Sequence, residues 1–250
     1  MQPTEVTSPR VMQSAGGGKM LENEMIERWK TIFQNHEAKI QEVDENTQIL
    51  TWKKKDTIIY SLEFIFRDNR IYVGGDLGWG TFNTTWQPRW DYDWYTIQPG
   101  YFAGKCTSIK NGRYLWDEEY ALENLKDEYR YMMEDPNYYE TLYDEILNAA
   151  DDIWMDWEDV DSEIADKYDI DTFFIKQMWC AIRAIKSSSS REEYIYNLNS
   201  DPHFDDYNDF WEWGYGVGDM LNGYFSIWII ALRMAREQLI EKGYGDKYEK

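Results

Sequence analysis

Residues 58–83 read IIYSLEFIFRDNRIYVGGDLGWGTFN, and this stretch decides the predicted fold. β-Branched and aromatic residues fill 58–66 and 71–74, while the intervening RDNR at 67–70 is polar and turn-forming, which predicts a β-hairpin. Gly74, Gly75, Asp76 and Gly78 interrupt the chain before 79–83 resumes an extended aromatic pattern. We therefore expect a third antiparallel strand. Such a meander has one face to bury, so another element must cover it.

The flanking segments supply that cover. Apolar residues recur near helical spacing across 20–43, which predicts an amphipathic helix packed on the sheet. Residues 48–52 are typical of a strand that precedes the hairpin, so the expected sheet has about four strands. Residues 101–106 form a short compact segment, and helical patterns follow at 116–133, 138–150, 160–186, 191–197 and 218–242.

These patterns predict an α+β fold, with an N-terminal helix on a small antiparallel β-sheet followed by a mainly α-helical C-terminal region. Glycines and prolines without periodicity mark residues 1–19 as a flexible tail. The expected domains are an α+β domain at 20–134 and a helical region at 135–250.

Charge and composition exclude several classes of function. The chain carries 47 acidic and 26 basic residues, a formal net charge of −21. Counterion release from a nucleic-acid backbone needs clustered Lys and Arg, so we expect no direct nucleic-acid binding. No run reaches the length of a membrane span, and we expect a soluble, intracellular protein without membrane contact. With Cys106 and Cys180 far apart and two histidines in the chain, a disulfide framework or zinc site is not expected, and no cofactor is implied.

The densest acidic run lies at residues 151–166. If that segment is helical, Asp152 and Asp156 share a face, and such a pair could hold Mg²⁺ with a phosphate substrate in a metal-dependent enzyme. A solvated acidic face is the commoner meaning of such a run. A third interpretation is a DNA mimic, in which spaced carboxylates occupy a basic channel. The run also contains aromatic residues, which are favoured at protein interfaces, so the candidate partner-binding residues are Asp152, Trp154, Asp156, Trp157, Glu158 and Asp159.

A second candidate contact surface is aromatic. Trp86, Trp90, Tyr92 and Trp94 lie in a connection rich in structure-breaking residues. Connections of this kind tend to run over the surface, and large rigid rings bind partners at little entropic cost. We therefore predict that these four side chains face a partner or a second copy of the chain.

The glycines at 74–78 invite comparison with a phosphate-binding loop. They lack the lysine of the GxxxxGK[ST] motif, and the segment that follows has the pattern of a strand, whereas a dinucleotide fingerprint is followed by a helix. We interpret these glycines as turn geometry. No catalytic residue is predicted outside the acidic run.

One family resemblance is visible in these segments. Residues 72–78 (YVGGDLG), Phe82, residues 101–106 (YFAGKC) and residues 116–119 (WDEE) resemble a pattern in phage-encoded proteins of the Gabija anti-defence family. The resemblance spans about residues 58–125, less than a third of the chain.

The resemblance implies a non-enzymatic inhibitor in the cytoplasm of an infected bacterium. It would form a homo-oligomer around a bacterial defence nuclease complex and stop the nuclease from engaging DNA. The family is not defined by catalytic residues, so none is carried over. The resemblance implies structural roles instead: Gly74, Gly75, Asp76 and Gly78 would form a turn after the central strand, and Tyr101, Phe102 and Cys106 would pack beneath it.

Overall fold

The computed structural model describes residues 18–131, 136–151, 164, 166–168, 172–204 and 209–244. The chain divides into two compact units: a sheet unit (1–114 and 221–250) and a helical unit (115–220). The α+β class and the order of helix, antiparallel sheet and mainly helical C-terminal region are confirmed. The division differs from the predicted boundary at 134/135, because the chain leaves the sheet unit after Tyr114 and its last helix returns to it. Within the predicted tail, residues 1–17 lie outside the described residues.

A six-stranded antiparallel sheet forms the centre of the sheet unit, and its strands follow chain order from one edge to the other. The unit contains α1 (Gly18–Phe33), β1 (His36–Asp44), β2 (Thr47–Lys54), β3 (Leu62–Arg67), β4 (Arg70–Gly75), β5 (Gly80–Asn83), α2 (Pro99–Gly104), β6 (Cys106–Ile109) and the final helix, α9 (Tyr224–Glu241). Two further short strands, β7 (Tyr114–Trp116) and β8 (Asp219–Leu221), pair with each other.

The predicted hairpin is present, with a later start. β3 begins at Leu62, while Ile58 is 77% exposed and Tyr60 has a positive φ of 58°. A hydrogen bond from the Tyr60 backbone N–H to the Asp76 carboxylate (2.7 Å) holds this bend. Across the hairpin, Arg67 pairs directly with Arg70, so the turn is Asp68–Asn69.

The predicted helix at 20–43 was too long. α1 ends at Phe33, and Ile40 lies in β1, opposite Leu50 of β2. Burial along β1 alternates at His36 and Ala38, so the apolar period changes there from that of a helix to that of a strand. The sheet has six strands rather than about four because β1 and the four-residue β6 were not predicted.

The inner face of the sheet carries the core of this unit, and α9 covers it. Trp228 of α9 is fully buried, and its indole N–H donates a hydrogen bond to the Leu77 carbonyl at 3.0 Å. Gly80 makes room for this ring, because a Cβ there would lie 2.9 Å from it. The sheet contributes these buried residues: Leu50, Trp52, Leu62, Phe64, Phe66, Ile71, Val73 and Phe82.

The side chain of Gln238 on α9 binds β1, the strand at one edge of the sheet. Its Oε1 accepts a hydrogen bond from the Ala38 backbone N–H at 2.7 Å, and its Nε2 donates to the His36 carbonyl at 2.9 Å. One carboxamide therefore satisfies one backbone N–H and one backbone carbonyl of the edge strand, as a neighbouring strand would do at these positions. This contact joins residues 200 positions apart in the chain.

We expect Gln238→Ala to lower the free energy of unfolding by about 1–3 kcal/mol, since two hydrogen bonds to strand backbone are lost. Urea denaturation followed by circular dichroism measures the change. Glu241→Ala, on an exposed position of the same helix, is the matched control and should stay within about 0.5 kcal/mol of the parent chain. Equal effects of the two substitutions would refute a specific role for the carboxamide.

The helical unit is described by itself. It contains α3 (Glu118–Tyr131), α4 (Pro136–Asp151), α5 (Asp166–Tyr168), α6 (Thr172–Lys186), α7 (Arg191–Ser200), α8 (Phe210–Trp213) and a 3₁₀ turn (Gly214–Gly216). Pro136 is the first residue of α4, where its missing N–H costs no helical hydrogen bond. Buried side chains of this core include Leu125, Tyr129, Leu142, Ile146, Ile175, Met178, Trp179 and Ile182.

Candidate functional site

The glycine segment after β4 has a structural role. Gly75 (φ +130°) and Gly78 (φ +86°) adopt backbone conformations that side chains disfavour. The Asp76 carboxylate accepts the hydrogen bond from the Tyr60 backbone described above, and the Asp76 N–H donates to the Ser61 carbonyl at 3.0 Å. Gly74 has no neighbour within 4 Å of an added Cβ. Gly75, Asp76 and Gly78 therefore shape the turn, whereas Gly74 is an ordinary strand residue.

The predicted aromatic contact surface is only partly exposed. Trp90 and Trp94 are 1% and 0% exposed, so the prediction that they face a partner is wrong. Their connection packs inward: the Trp94 indole N–H donates to the Trp90 carbonyl, and its ring contacts Phe66. The connection therefore contributes Trp90 and Trp94 to the core, while other residues such as Tyr95 (49% exposed) remain at the surface.

Three other rings nearby form a stack. Trp86 stacks on Tyr92 (5.5 Å between centroids) and on Tyr101 (5.9 Å). Tyr101 is 48% exposed, and the Lys105 ammonium lies 5.0 Å from the centre of its ring. Phe102 is buried against Phe82 and Cys106 is buried in β6, whereas Tyr101, which the resemblance grouped with them, belongs to this surface stack.

A polar pocket of about 840 Å³ opens at one end of the sheet. Alternate hairpins of an antiparallel sheet turn at the same end, which brings three connections together: the β1–β2 turn, the β3–β4 turn and the segment after β5. The pocket is lined by Asn46, Arg67, Asp68, Asn69, Arg70, Tyr72, Asn83, Thr84 and Gln87. We call it the arginine pocket.

Backbone hydrogen bonds join the three connections. The Asp68 N–H donates to the Asn46 carbonyl at 3.1 Å, and the Thr84 N–H donates to the Asn69 carbonyl at 2.8 Å. The Thr84 hydroxyl adds a second hydrogen bond to Asn69 at 3.0 Å. The walls of the arginine pocket are therefore held in place by the fold itself.

Two arginines dominate the charge of this pocket. Arg67 and Arg70 lie directly opposite each other in the hairpin, and within the described part of the chain neither forms an ion pair with a carboxylate. The nearby Asp44 carboxylate accepts hydrogen bonds from its own turn, chiefly from the Asn46 N–H, and these bonds lower the pKa of Asp44 with a smaller contribution from the charge of Arg67. Hydrogen bonding to the Tyr72 hydroxyl is the largest cause of a raised pKa at Arg70.

This pocket was not predicted from the sequence. RDNR at 67–70 was predicted only as a turn, although two arginines on either side of a two-residue turn must face each other in the hairpin. No local sequence pattern indicated that residues near 46 and 83–87 would line the same pocket.

The negative charge of the protein is concentrated in one unit. Residues 115–220, which define the helical unit, contain 29 acidic and 7 basic residues, a net charge of −22. The rest of the chain contains 18 acidic and 19 basic residues, a net charge of +1. The net negative charge of the whole protein therefore comes from its helical unit.

Several cations of the helical unit form ion pairs within it. Lys126 contacts Glu140 (2.5 Å) and Asp144 (3.6 Å), and Arg191 contacts Asp219 (3.0 Å). Exposed carboxylates remain on α3, at Glu118, Glu119, Asp127 and Glu128. Partial burial raises the pKa of Asp219, and Arg191 opposes that shift.

The predicted acidic contact residues Asp152, Trp154, Asp156, Trp157, Glu158 and Asp159 lie outside the described residues. Among the residues that the structure does describe, no group of three or more His, Cys, Asp or Glu side chains is placed to hold a metal ion. No helix in the described ranges has the length and apolar character needed to cross a membrane.

Comparison of this chain with protein-family models, with curated proteins and with solved structures gave no match.

Proposed function

We propose that this protein is a non-enzymatic, phage-encoded inhibitor that binds a bacterial defence nuclease complex of the Gabija type and prevents the nuclease from engaging DNA. It acts in the host cytoplasm as a homo-oligomer that encloses its target. The identity of the target comes from the resemblance at residues 58–125.

The observation that supports inhibition by binding is the charge distribution. A nuclease that binds DNA presents a basic surface, and a unit with a net charge of −22 is attracted to such a surface. The neutral sheet unit adds nothing to that attraction. The helical unit is therefore the part that we expect to contact the nuclease, with the sheet unit available for contacts between copies.

The same charge distribution supports a second candidate, an acidic DNA mimic that inhibits some other nuclease. The two candidates differ in selectivity. A DNA mimic competes for any basic channel of suitable width, whereas an enclosing inhibitor recognises the shape of one complex.

A cleavage assay tests the proposal. We expect the full chain to suppress DNA cleavage by a purified Gabija complex and to leave an unrelated nuclease active at the same concentration. Size-exclusion chromatography with light scattering should show a stable complex that contains several copies of the chain. Suppression of the unrelated nuclease, with or without suppression of the Gabija complex, would support the DNA mimic instead, and suppression of neither would refute both.

Charge-reversal variants locate the contact. Asp127→Lys with Glu128→Lys alters two exposed positions on α3 of the helical unit. Glu37→Lys with Glu63→Lys makes the same change in charge at exposed positions of the sheet unit and is the matched control. We expect the α3 variant to slow association with the nuclease complex by about tenfold or more at low salt, and the control to change it far less. Equal slowing by the two variants would contradict a contact through the helical unit.

A further inference from the structure

The arginine pocket carries an inference that is independent of nuclease inhibition. Arg67 and Arg70 are directly opposed in the hairpin, and like charges at such positions destabilise a sheet. Burial does not force this arrangement, since both side chains are exposed and could have been any polar residue. The charges of Asp44 and Asp68 act on Arg67 and Arg70 and offset part of this repulsion, but neither carboxylate, each of them in the described ranges, forms an ion pair with them. A bound anion would contact both arginines directly, because guanidinium forks match phosphate oxygens in geometry and charge.

The remaining lining of the pocket is polar. Four carboxamides surround the arginines, at Asn46, Asn69, Asn83 and Gln87, and each offers both N–H donors and a carbonyl acceptor. Tyr72 supplies the single aromatic ring, and Asp68 the single carboxylate. Such a lining suits a ligand with many hydrogen-bonding groups, and it disfavours an apolar one.

Size and rigidity point to a small molecule. A volume of about 840 Å³ far exceeds that of one phosphate ion and falls within the range of pockets for nucleotide-sized ligands. The backbone hydrogen bonds from Asp68 to Asn46 and from Thr84 to Asn69 hold the three walls before any ligand arrives, which lowers the entropic cost of binding. A concave, preformed site accepts a compact ligand more readily than the broad face of another protein.

We propose that the arginine pocket binds a phosphorylated small molecule of nucleotide size, with Arg67 and Arg70 on its phosphates and the carboxamides on its polar remainder. The ligand is bound and not chemically changed. The site belongs to the sheet unit, so it is separate from the acidic surface assigned to nuclease contact.

Isothermal titration calorimetry of the full chain with inorganic pyrophosphate, ATP and adenosine, in buffer with EDTA, tests this proposal. We expect saturable binding of pyrophosphate and ATP, tighter for ATP because it also reaches the carboxamides, and no binding of adenosine. Arg67→Gln and Arg70→Gln should each weaken ATP binding by about tenfold or more, since each removes a charge-assisted hydrogen bond to phosphate. Side-chain amide resonances of Asn69 and Asn83 should shift on titration with ATP.

A matched control separates a site from general electrostatic attraction. Lys39→Gln with Lys53→Gln removes two positive charges, one more than either arginine variant, from exposed positions of the same unit but outside the pocket. This variant should bind ATP within about threefold of the parent chain. Equal weakening by the lysine and arginine variants would overturn the proposal, as would failure of pyrophosphate and ATP to bind at millimolar concentration.

A contact between protein chains is the competing use of the arginines, and sedimentation velocity detects it. The variant for this test combines Arg67→Gln with Arg70→Gln. If its assembly in solution has a smaller mass than that of the parent chain, and ATP binds neither protein, the two arginines contact an acidic segment of another protein chain. The proposal is then wrong. Loss of nuclease inhibition leaves the ATP measurement unaffected, so the two proposals can fail separately.

Discussion

Replacement of Trp228 by alanine is expected to lower the free energy of unfolding of the sheet unit by about 3–5 kcal/mol. The ring is fully buried and lies within 6 Å of the rings of Phe82 (5.8 Å) and Tyr224 (5.7 Å). Alanine would leave a cavity between α9 and the sheet, and the Leu77 carbonyl would lose its buried hydrogen bond. Trp228 therefore joins α9 to β5 through its ring and to the turn after β4 through its hydrogen bond.

Urea denaturation followed by circular dichroism measures this effect without depending on tryptophan fluorescence. Trp79→Ala is the matched control, because Trp79 is in the same unit and is 49% exposed. We expect the control to change the free energy of unfolding by less than about 1 kcal/mol. If both substitutions shift the midpoint equally, Trp228 does not anchor α9.

Alanine at Gly75 is expected to cost about 2–5 kcal/mol. A φ of +130° is a conformation that residues with a side chain avoid, and the new Cβ would lie 2.3 Å from the Ser61 carbonyl oxygen. That oxygen also accepts the hydrogen bond from the Asp76 N–H, so relief of the clash would break the turn. Thermal or urea denaturation of the variant reports the loss.

The neighbouring glycine provides the control. Gly74 has room for a Cβ and no positive φ, and alanine is more favourable than glycine within a strand. Gly74→Ala should therefore be neutral or stabilise the chain by up to about 1 kcal/mol. Opposite signs for adjacent positions would establish that backbone geometry, and not glycine content, governs this turn. Destabilisation by both would indicate some other constraint on the segment.

Local patterns were sufficient for the hairpin and for most helices. The alternation in β3 and β4 and the polar turn between them are properties of neighbouring residues, so they are visible without a structure. The same rule failed at residues 34–43, where Ile40 fits both the helical spacing of α1 and the alternation of β1. Only the pairing of β1 with β2 decides between these periods.

The aromatic residues show the limit of composition. Trp86, Trp90, Tyr92 and Trp94 lie close together in sequence and look equivalent, yet Trp90 and Trp94 are core residues and the other two are half-buried. Which of these rings is buried depends on the positions of Phe66 and α9 in the folded chain. The arginine pocket was hidden for the same reason, because its walls come from three separate connections.

By itself, the sequence determined the class of fold, the presence of a hairpin within residues 58–83, the turn role of Gly75 and Gly78, and the overall excess of negative charge. The tertiary structure alone decided the return of α9 to the sheet, the two hydrogen bonds from Gln238 to the edge strand, and the meeting of three connections around the arginine pair. Local propensity depends on a few adjacent residues. Burial and hydrogen bonding between distant segments depend on where the whole chain goes, because apolar surface is removed from water only when those segments meet.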